Sequence, residues 1–135
     1  MDTITQKKAP AFRTWMGEDG IARSYVSKNA EIGISEAVEN SNTVNALYSG
    51  SKFPLLVNIT EIRSISREAR SHFSVNNRDT HITAFALVGK SAVGKIVANF
   101  FFRLNRVAVP ARMFVSEDKA LLWLENFKST VDNAR

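Results

Sequence analysis

The chain predicts an α/β fold: a mixed sheet of about five strands with an N-terminal β-hairpin, parallel central strands and about four helices. Three observations carry that expectation. Two apolar runs of strand length, one from Leu55 to Ile59 and one from Ile82 to Val88, are nearly continuous, which marks strands covered on both faces. Each leads through a polar turn into a helical pattern, and strands alternating with helices require right-handed crossovers between parallel neighbours. Ahead of them Asp19-Gly20 joins two short segments as a hairpin would, which adds antiparallel pairing.

Residues 1–10 form a polar lead, and a single domain is expected over 11–131. Segments 12–16 and 21–26 flank the hairpin turn, and their imperfect alternation suits edge strands better than central ones. From Ser35, the apolar positions Ala37, Val38, Val44, Leu47 and Tyr48 predict a helix over 35–48, with Ser35 as N-cap, Glu36 in the first turn and Gly50 as its stop. Its middle, from Glu39 through Thr43, forms helix poorly, so a bend or fraying is expected there. The strand over 53–59 follows. A helix over 66–77, capped by Ser64 or Ser66, then carries Ile65, Ala69 and Phe73 on one stripe. Beyond the second apolar strand and Ser91, the positions Val93, Ile96, Val97, Phe100, Phe101 and Leu104 predict a helix with a broad apolar face. After Pro110 come a strand over 111–115 and a helix capped by Ser116, with Glu117 and Asp118 at the positive end of its dipole. Ala120, Leu121, Leu124, Phe127 and Val131 form its buried stripe, and Trp123 packs under the edge.

At 44% hydrophobic residues the 135-residue chain can build a core without disulfides or metals. The absence of cysteine excludes thiol catalysis and cysteine-ligated zinc and fits a reducing compartment. His72 and His81 cannot make a zinc site alone. No stretch approaches the ~20 apolar residues of a membrane span, and the N-terminus lacks an apolar signal core, so a cytoplasmic location is expected. The net charge of +5 is dispersed among 13 acids with no zinc-finger or RNP-type motif, so no nucleic-acid partner is expected. No cofactor is implied. A symmetric homodimer is the assembly to expect first for so small a domain.

Several motifs lead nowhere on inspection. Gly89, Gly94 and Lys95 match the phosphate-binding pattern G-x-x-x-x-G-K, but Ile96 stands where a hydroxyl should hold magnesium, and no apolar strand ends in a suitable aspartate. The segment reads as a helix-entry loop. There is no G-x-S-x-G elbow, His72 beside Phe73 reads as structural, and the adjacent Glu117 and Asp118 suit a helix start better than a carboxylate pair. Asn58-Ile59-Thr60 matches a glycosylation acceptor only by chance, since it closes a buried strand. No catalytic residue emerges.

More informative is what parallel central strands bring to one edge. Arg63, Ser64, Ser66 and Arg67 follow the first strand, and Lys90 and Ser91 follow the second. Helix N-termini and cations at the carboxyl edge of a parallel sheet make an anion site formed by Arg63, Arg67, Lys90 and Ser91 physically reasonable. The plainer account treats the serines as N-caps worth about 1 kcal/mol each and the arginines as solvated; the two are compatible. Phe100, Phe101 and Phe102 exceed what one helix face needs, so one of them, with Trp123, is a candidate lining of an apolar ligand cavity.

The pattern resembles a small bacterial STAS-like domain, the fold of anti-sigma-factor antagonists, and is similar to uncharacterised SpoIIAA-like proteins related to the STAS and Sec14 folds. The residues that carry the resemblance are the hairpin from Trp15 to Gly20, Pro54-Leu-Leu-Val-Asn-Ile59, Glu68-Ala-Arg70, Ala84-Phe-Ala-Leu-Val88, Ala98-Asn-Phe100, Pro110-Ala-Arg-Met-Phe114 and Ala120-Leu-Leu-Trp-Leu124. It spans about residues 12 to 128. In antagonists of that wider family a serine at a helix N-terminus is phosphorylated and switches partner binding. The resemblance implies Ser64 and Ser66 as candidate phosphorylation or switch residues, although here they are separated by Ile65 and flanked by arginines instead of following an aspartate. A non-enzymatic regulatory or protein-interaction module is therefore the first expectation. The alternative is a carrier or sensor of a small apolar or lipid-like ligand with an anionic head group, as the Sec14 side of the resemblance allows.

Overall fold

A computed structural model of the chain describes residues 10–75, 81–90 and 109–128. In chain order the elements are β1 (Phe12–Met16), β2 (Ala22–Val26), β3 (Glu31–Ile32), α1 (Ile34–Ala46), β4 (Phe53–Asn58), β5 (Ser64–Ile65), α2 (Arg67–Val75), β6 (Ile82–Val88), β7 (Ala111–Phe114) and α3 (Glu117–Leu124), closed by a 3-10 turn at Glu125–Phe127. The main sheet has the order β1-β2-β4-β6-β7, antiparallel between β1 and β2 and parallel from β2 onward. This is the mixed five-stranded sheet that the apolar runs and the hairpin predict. The helix predicted beyond Ser91, with Phe100, Phe101 and Phe102, lies outside the described residues.

Because successive parallel strands step in one direction across the sheet, right-handed crossovers place α1 and α2 on the same face. Ala37 of α1 and Ala69 of α2 accordingly share a buried cluster with Val26, Ile59 and Leu87. Side chains alternate along each strand, so the neighbours Leu56, Ala84, Ala86 and Val88 face the other way, where Ala120 and Leu124 of α3 cover them. Leu56, Ala84, Ala86 and Leu124 are all completely buried. Both faces of the central strands are thus closed, which is why their sequences are continuously apolar.

The hairpin differs from expectation in one respect. β1 is an edge strand, but β2 pairs with β4 and lies inside the sheet. Its small residues explain how: Ala22 and Ser24 have no exposed surface and Val26 almost none, so they fit beneath α1. At the turn, Gly20 has φ +85°, and a side chain on Gly17 would collide with the Arg23 guanidinium that lies across it, bonded to Asp19 at 2.8 and 2.9 Å.

α1 starts and stops earlier than its sequence suggests. Its N-cap is Gly33, not Ser35, because Ser66 N–H bonds the Ile32 carbonyl and holds that residue extended, while the Glu36 carboxylate accepts the Gly33 N–H at 2.9 Å. At the other end Leu47 and Tyr48 tighten into i→i−3 bonds, so the helix closes at Ala46, and Gly50, at φ +113°, serves the following turn. Tyr48 then stacks on His81, with ring centroids 3.9 Å apart.

The polar middle of α1 neither frays nor breaks. Asn40 is buried against the sheet, where its Oδ1 accepts from the Thr14 hydroxyl at 2.6 Å and its Nδ2 donates to Ser24 Oγ at 3.3 Å. Thr14 and Ser24 are themselves 2.8 Å apart across the hairpin. A buried three-residue network therefore joins the helix to both strands of the hairpin, replacing the poor helix propensity of Asn with specific tertiary bonds.

Candidate functional site

The carboxyl ends of β4, β6 and β7 lie along one edge of the sheet, and two separate polar regions form there. The first is a cleft of about 410 Å³ lined by Asn58, Thr60, Val88, Lys90, Val115, Ser116, Glu117 and Asp118. Each lining residue ends a strand, follows one within two residues or begins α3, because parallel strands deliver their termini to the same edge. Ser116 caps α3, its Oγ accepting the Lys119 N–H at 3.3 Å, and this fixes Glu117 and Asp118 in the first turn.

Glu117 does more than complement the helix dipole. Its Oε1 accepts from Asn58 Nδ2 at 2.8 Å, and its Oε2 accepts from the Tyr25 hydroxyl. The Asn58 amide is oriented in turn by the Thr60 N–H and hydroxyl, which donate to its Oδ1 at 3.0 and 2.8 Å. Burial and then the Glu117 carboxylate push the Tyr25 phenol up to about 12, so at neutral pH it is a hydrogen-bond donor and neither a base nor a nucleophile. The cleft thus contains a carboxylate held at both oxygens, with Lys90 also on its wall. The sequence hints were present but misassigned: Asn58 and Thr60 formed the discarded glycosylation motif, and Tyr25 was only a strand residue.

The second region is the pair β3 and β5, two residues each, joined in parallel with Glu31 opposite Ser64 and Ile32 opposite Ile65. Asn29, at φ 60°, lets the chain turn so that its N–H reaches the Glu61 carbonyl, and the Ala30 carbonyl accepts from Arg63 and Ser64 N–H groups. The backbone of the Ser64 segment is therefore well fixed. Its two serines have different fates. Ser66 is the cap of α2, its Oγ accepting the Ala69 N–H at 3.0 Å. Ser64 is exposed, and among the described residues its hydroxyl has no hydrogen-bond partner. Arg63 Nε stands 3.4 Å from Glu31 Oε2 in a pair about two-thirds exposed on each side, and Arg67 is exposed on the first turn of α2.

Of the residues expected to form an anion site, Arg63 and Arg67 accompany the serines, whereas Lys90 belongs to the Glu117 cleft. Ser91, Phe100, Phe101 and Phe102 lie outside the described residues. Trp123 packs between Phe114 and Phe127, with centroids 5.6 and 4.8 Å away, against the core cluster beneath α3. Among the described residues no group of three or more His, Asp or Glu side chains could hold a metal, and no helix is long and apolar enough to cross a membrane.

A family model described as a domain of unknown function (DUF7793) matches residues 14–128. Among solved structures, an uncharacterised protein of the DUF3478 family with a SpoIIAA-like fold, from Shewanella loihica PV-4, superimposes with a TM-score of 0.57 at 15% identity, over 84% of this chain and 92% of that one. A protein of unknown function from Arthrobacter sp. FB24 is 32% identical over 84% of this chain and 98% of that one, with a TM-score of 0.34. No curated protein matches. The Shewanella structure identifies the fold as SpoIIAA-like.

Proposed function

The chain belongs to the family described as a domain of unknown function (DUF7793), and we propose that it acts as a non-enzymatic regulatory module that binds a protein partner and is switched at Ser64. One observation carries this reading: between two exposed arginines at a helix N-terminus, one serine hydroxyl is occupied as the helix cap and the other is exposed, with no hydrogen-bond partner among the described residues.

The chemistry of a switch follows from the register. Ser64 sits directly opposite Glu31, whose carboxylate already engages Arg63. A phosphate on Ser64 would add roughly −1.5 to −2 charges beside that carboxylate. The dianion and Glu31 then compete for Arg63, and the dianion, with more charge and more acceptor oxygens, wins. Arg67 and the positive end of α2 also favour it. The outcome is a rearranged charge surface on β3, β5 and the start of α2, over a core that is unchanged because Ile32, Ile62 and Ala69 remain buried beneath it.

A binding experiment tests this directly. The wild type, Ser64→Ala and Ser64→Glu, immobilised in equal amounts, are used to capture proteins from the source cell. The proposal expects a protein recovered with Ser64→Ala and the wild type and depleted with Ser64→Glu, or the reverse. Identical capture by all three overturns it.

A second reading has its own support in the cleft, which is large enough for a small ligand. Its lining is polar, with a fixed carboxylate, so it suits a hydrogen-bonding molecule better than the apolar tail of a lipid. Native mass spectrometry of protein purified without additives tests it: a bound small molecule that is lost in Glu117→Gln supports the reading, and bare protein removes it.

A further inference from the structure

The two edges of the main sheet are not alike. β7 has four residues and directly follows Pro110, features that discourage strand addition. β1 has five residues, contains neither proline nor lysine, and pairs with β2 in unbroken register from Phe12 to Met16. The bonds from Ser27 N–H to the Ala11 carbonyl and from Gly17 N–H to the Ile21 carbonyl bracket this ladder. Antiparallel pairs alternate between bonded and non-bonded, so, in phase with these flanking bonds, Arg13 and Trp15 exchange bonds with Tyr25 and Arg23 of β2. The backbone groups of Thr14 and Met16 consequently point away from the sheet. On the same edge Trp15 and Met16 are 38% and 36% exposed, large for an aromatic and a thioether side chain on a strand.

We infer that β1 is a dimer edge, at which β1 of a second copy of this chain adds antiparallel across a two-fold axis beside Trp15. With the axis there, Thr14 of each copy faces Met16 of the other, and both are bonded pairs made from the outward backbone groups. Trp15 faces Trp15 of the second copy as a non-bonded pair, the closer kind, with Cβ atoms roughly 4.5–5.5 Å apart. Charge selects a second copy over an arbitrary strand. Arg13, exposed and lying over the Trp15 and Tyr25 rings, falls opposite Gly17 of the second copy, beside the exposed Glu18 of that turn, whose Asp19 is already held by Arg23. The symmetry repeats that contact, as an isologous interface requires.

Sedimentation equilibrium of the full chain, from micromolar to sub-millimolar concentration, tests the inference together with amide exchange on the same samples. The expected mass is that of two chains at the upper concentrations, with exchange of the Met16 amide slowed about tenfold or more relative to dilute protein. Trp15→Lys and Met16→Pro should each halve the mass; the second removes an N–H that points away from β2. A single-chain mass throughout, a Met16 amide that exchanges freely in the concentrated sample, or a dimer that survives Met16→Pro would overturn the inference. Should a variant fail to fold, the wild-type exchange measurement decides alone.

Discussion

Replacing Asn40 probes the least obvious feature of the fold, the buried network that ties α1 to the hairpin. Asn40→Leu keeps the side chain close in size but removes the acceptor of the Thr14 hydroxyl and the donor to Ser24 Oγ. Ser24 has no exposed surface and Asn40 is 7% exposed, so water cannot reach Ser24 Oγ without opening the interface, although Thr14 is only half-buried. Leaving a buried polar group short of its bond costs about 1–3 kcal/mol. The better helix propensity of Leu offsets about 0.5 kcal/mol of this. The expected net loss is thus about 0.5–2.5 kcal/mol. The triple variant Thr14→Val, Ser24→Ala, Asn40→Leu removes every member of the network and should recover most of the loss, since an apolar replacement of both partners is nearly neutral. Urea unfolding followed by circular dichroism, with unchanged m-values, reads both. If the single variant is as stable as the wild type, or the triple is worse than the single, the three side chains are not a coupled buried network.

Three further outcomes follow from the same structure. Ser66→Ala should cost about 1 kcal/mol through loss of the α2 cap, whereas Ser64→Ala should lie within about 0.5 kcal/mol of wild type, both by urea titration; equal losses would mean the cap is misassigned. Leu124→Ala, at a fully buried site, should lose about 2–5 kcal/mol, while Leu122→Ala, 71% exposed on the same helix, should be near neutral; the reverse ranking would place α3 the wrong way round. Hydrogen bonding from Arg23 lowers the Asp19 carboxyl from 3.8 to about 2, so its stabilising effect is present above pH 4 and is lost as the pH falls towards 2. Asp19→Asn should flatten that part of the acid-unfolding profile, and an unaltered profile would show that the pair contributes nothing.

Much of the fold was legible because the central strands are doubly covered. Leu55, Leu56 and Val57, and Ala84 through Val88, had to be apolar on both sides, and that run is a strong signal. Asp19-Gly20 marked the hairpin for an equally local reason, the positive φ its glycine adopts. What escaped depends on contacts far apart in the chain. β3 and β5 have two residues each, too few to show a period, and exist because Ala30 and Ile32 carbonyls receive N–H groups from Arg63, Ser64 and Ser66. Asn40 read as a helix weakener because its partners, Thr14 and Ser24, lie on other elements. Glu117 read as a dipole residue because Tyr25 is 92 positions away from it. Ser64 and Ser66 were visible as a pair, but only the geometry separates the capping hydroxyl from the exposed one.

The proposed switch rests on that separation, and mapping phosphate on protein isolated from its own cells tests it most directly. Peptide mass spectrometry with site-resolving fragmentation distinguishes Ser64 from Ser66, since Ile65 lies between them. Phosphate is expected on Ser64, with Ser66 unmodified because its hydroxyl is held by the Ala69 N–H. Phosphate on Ser66, or on neither serine across growth conditions, would contradict it.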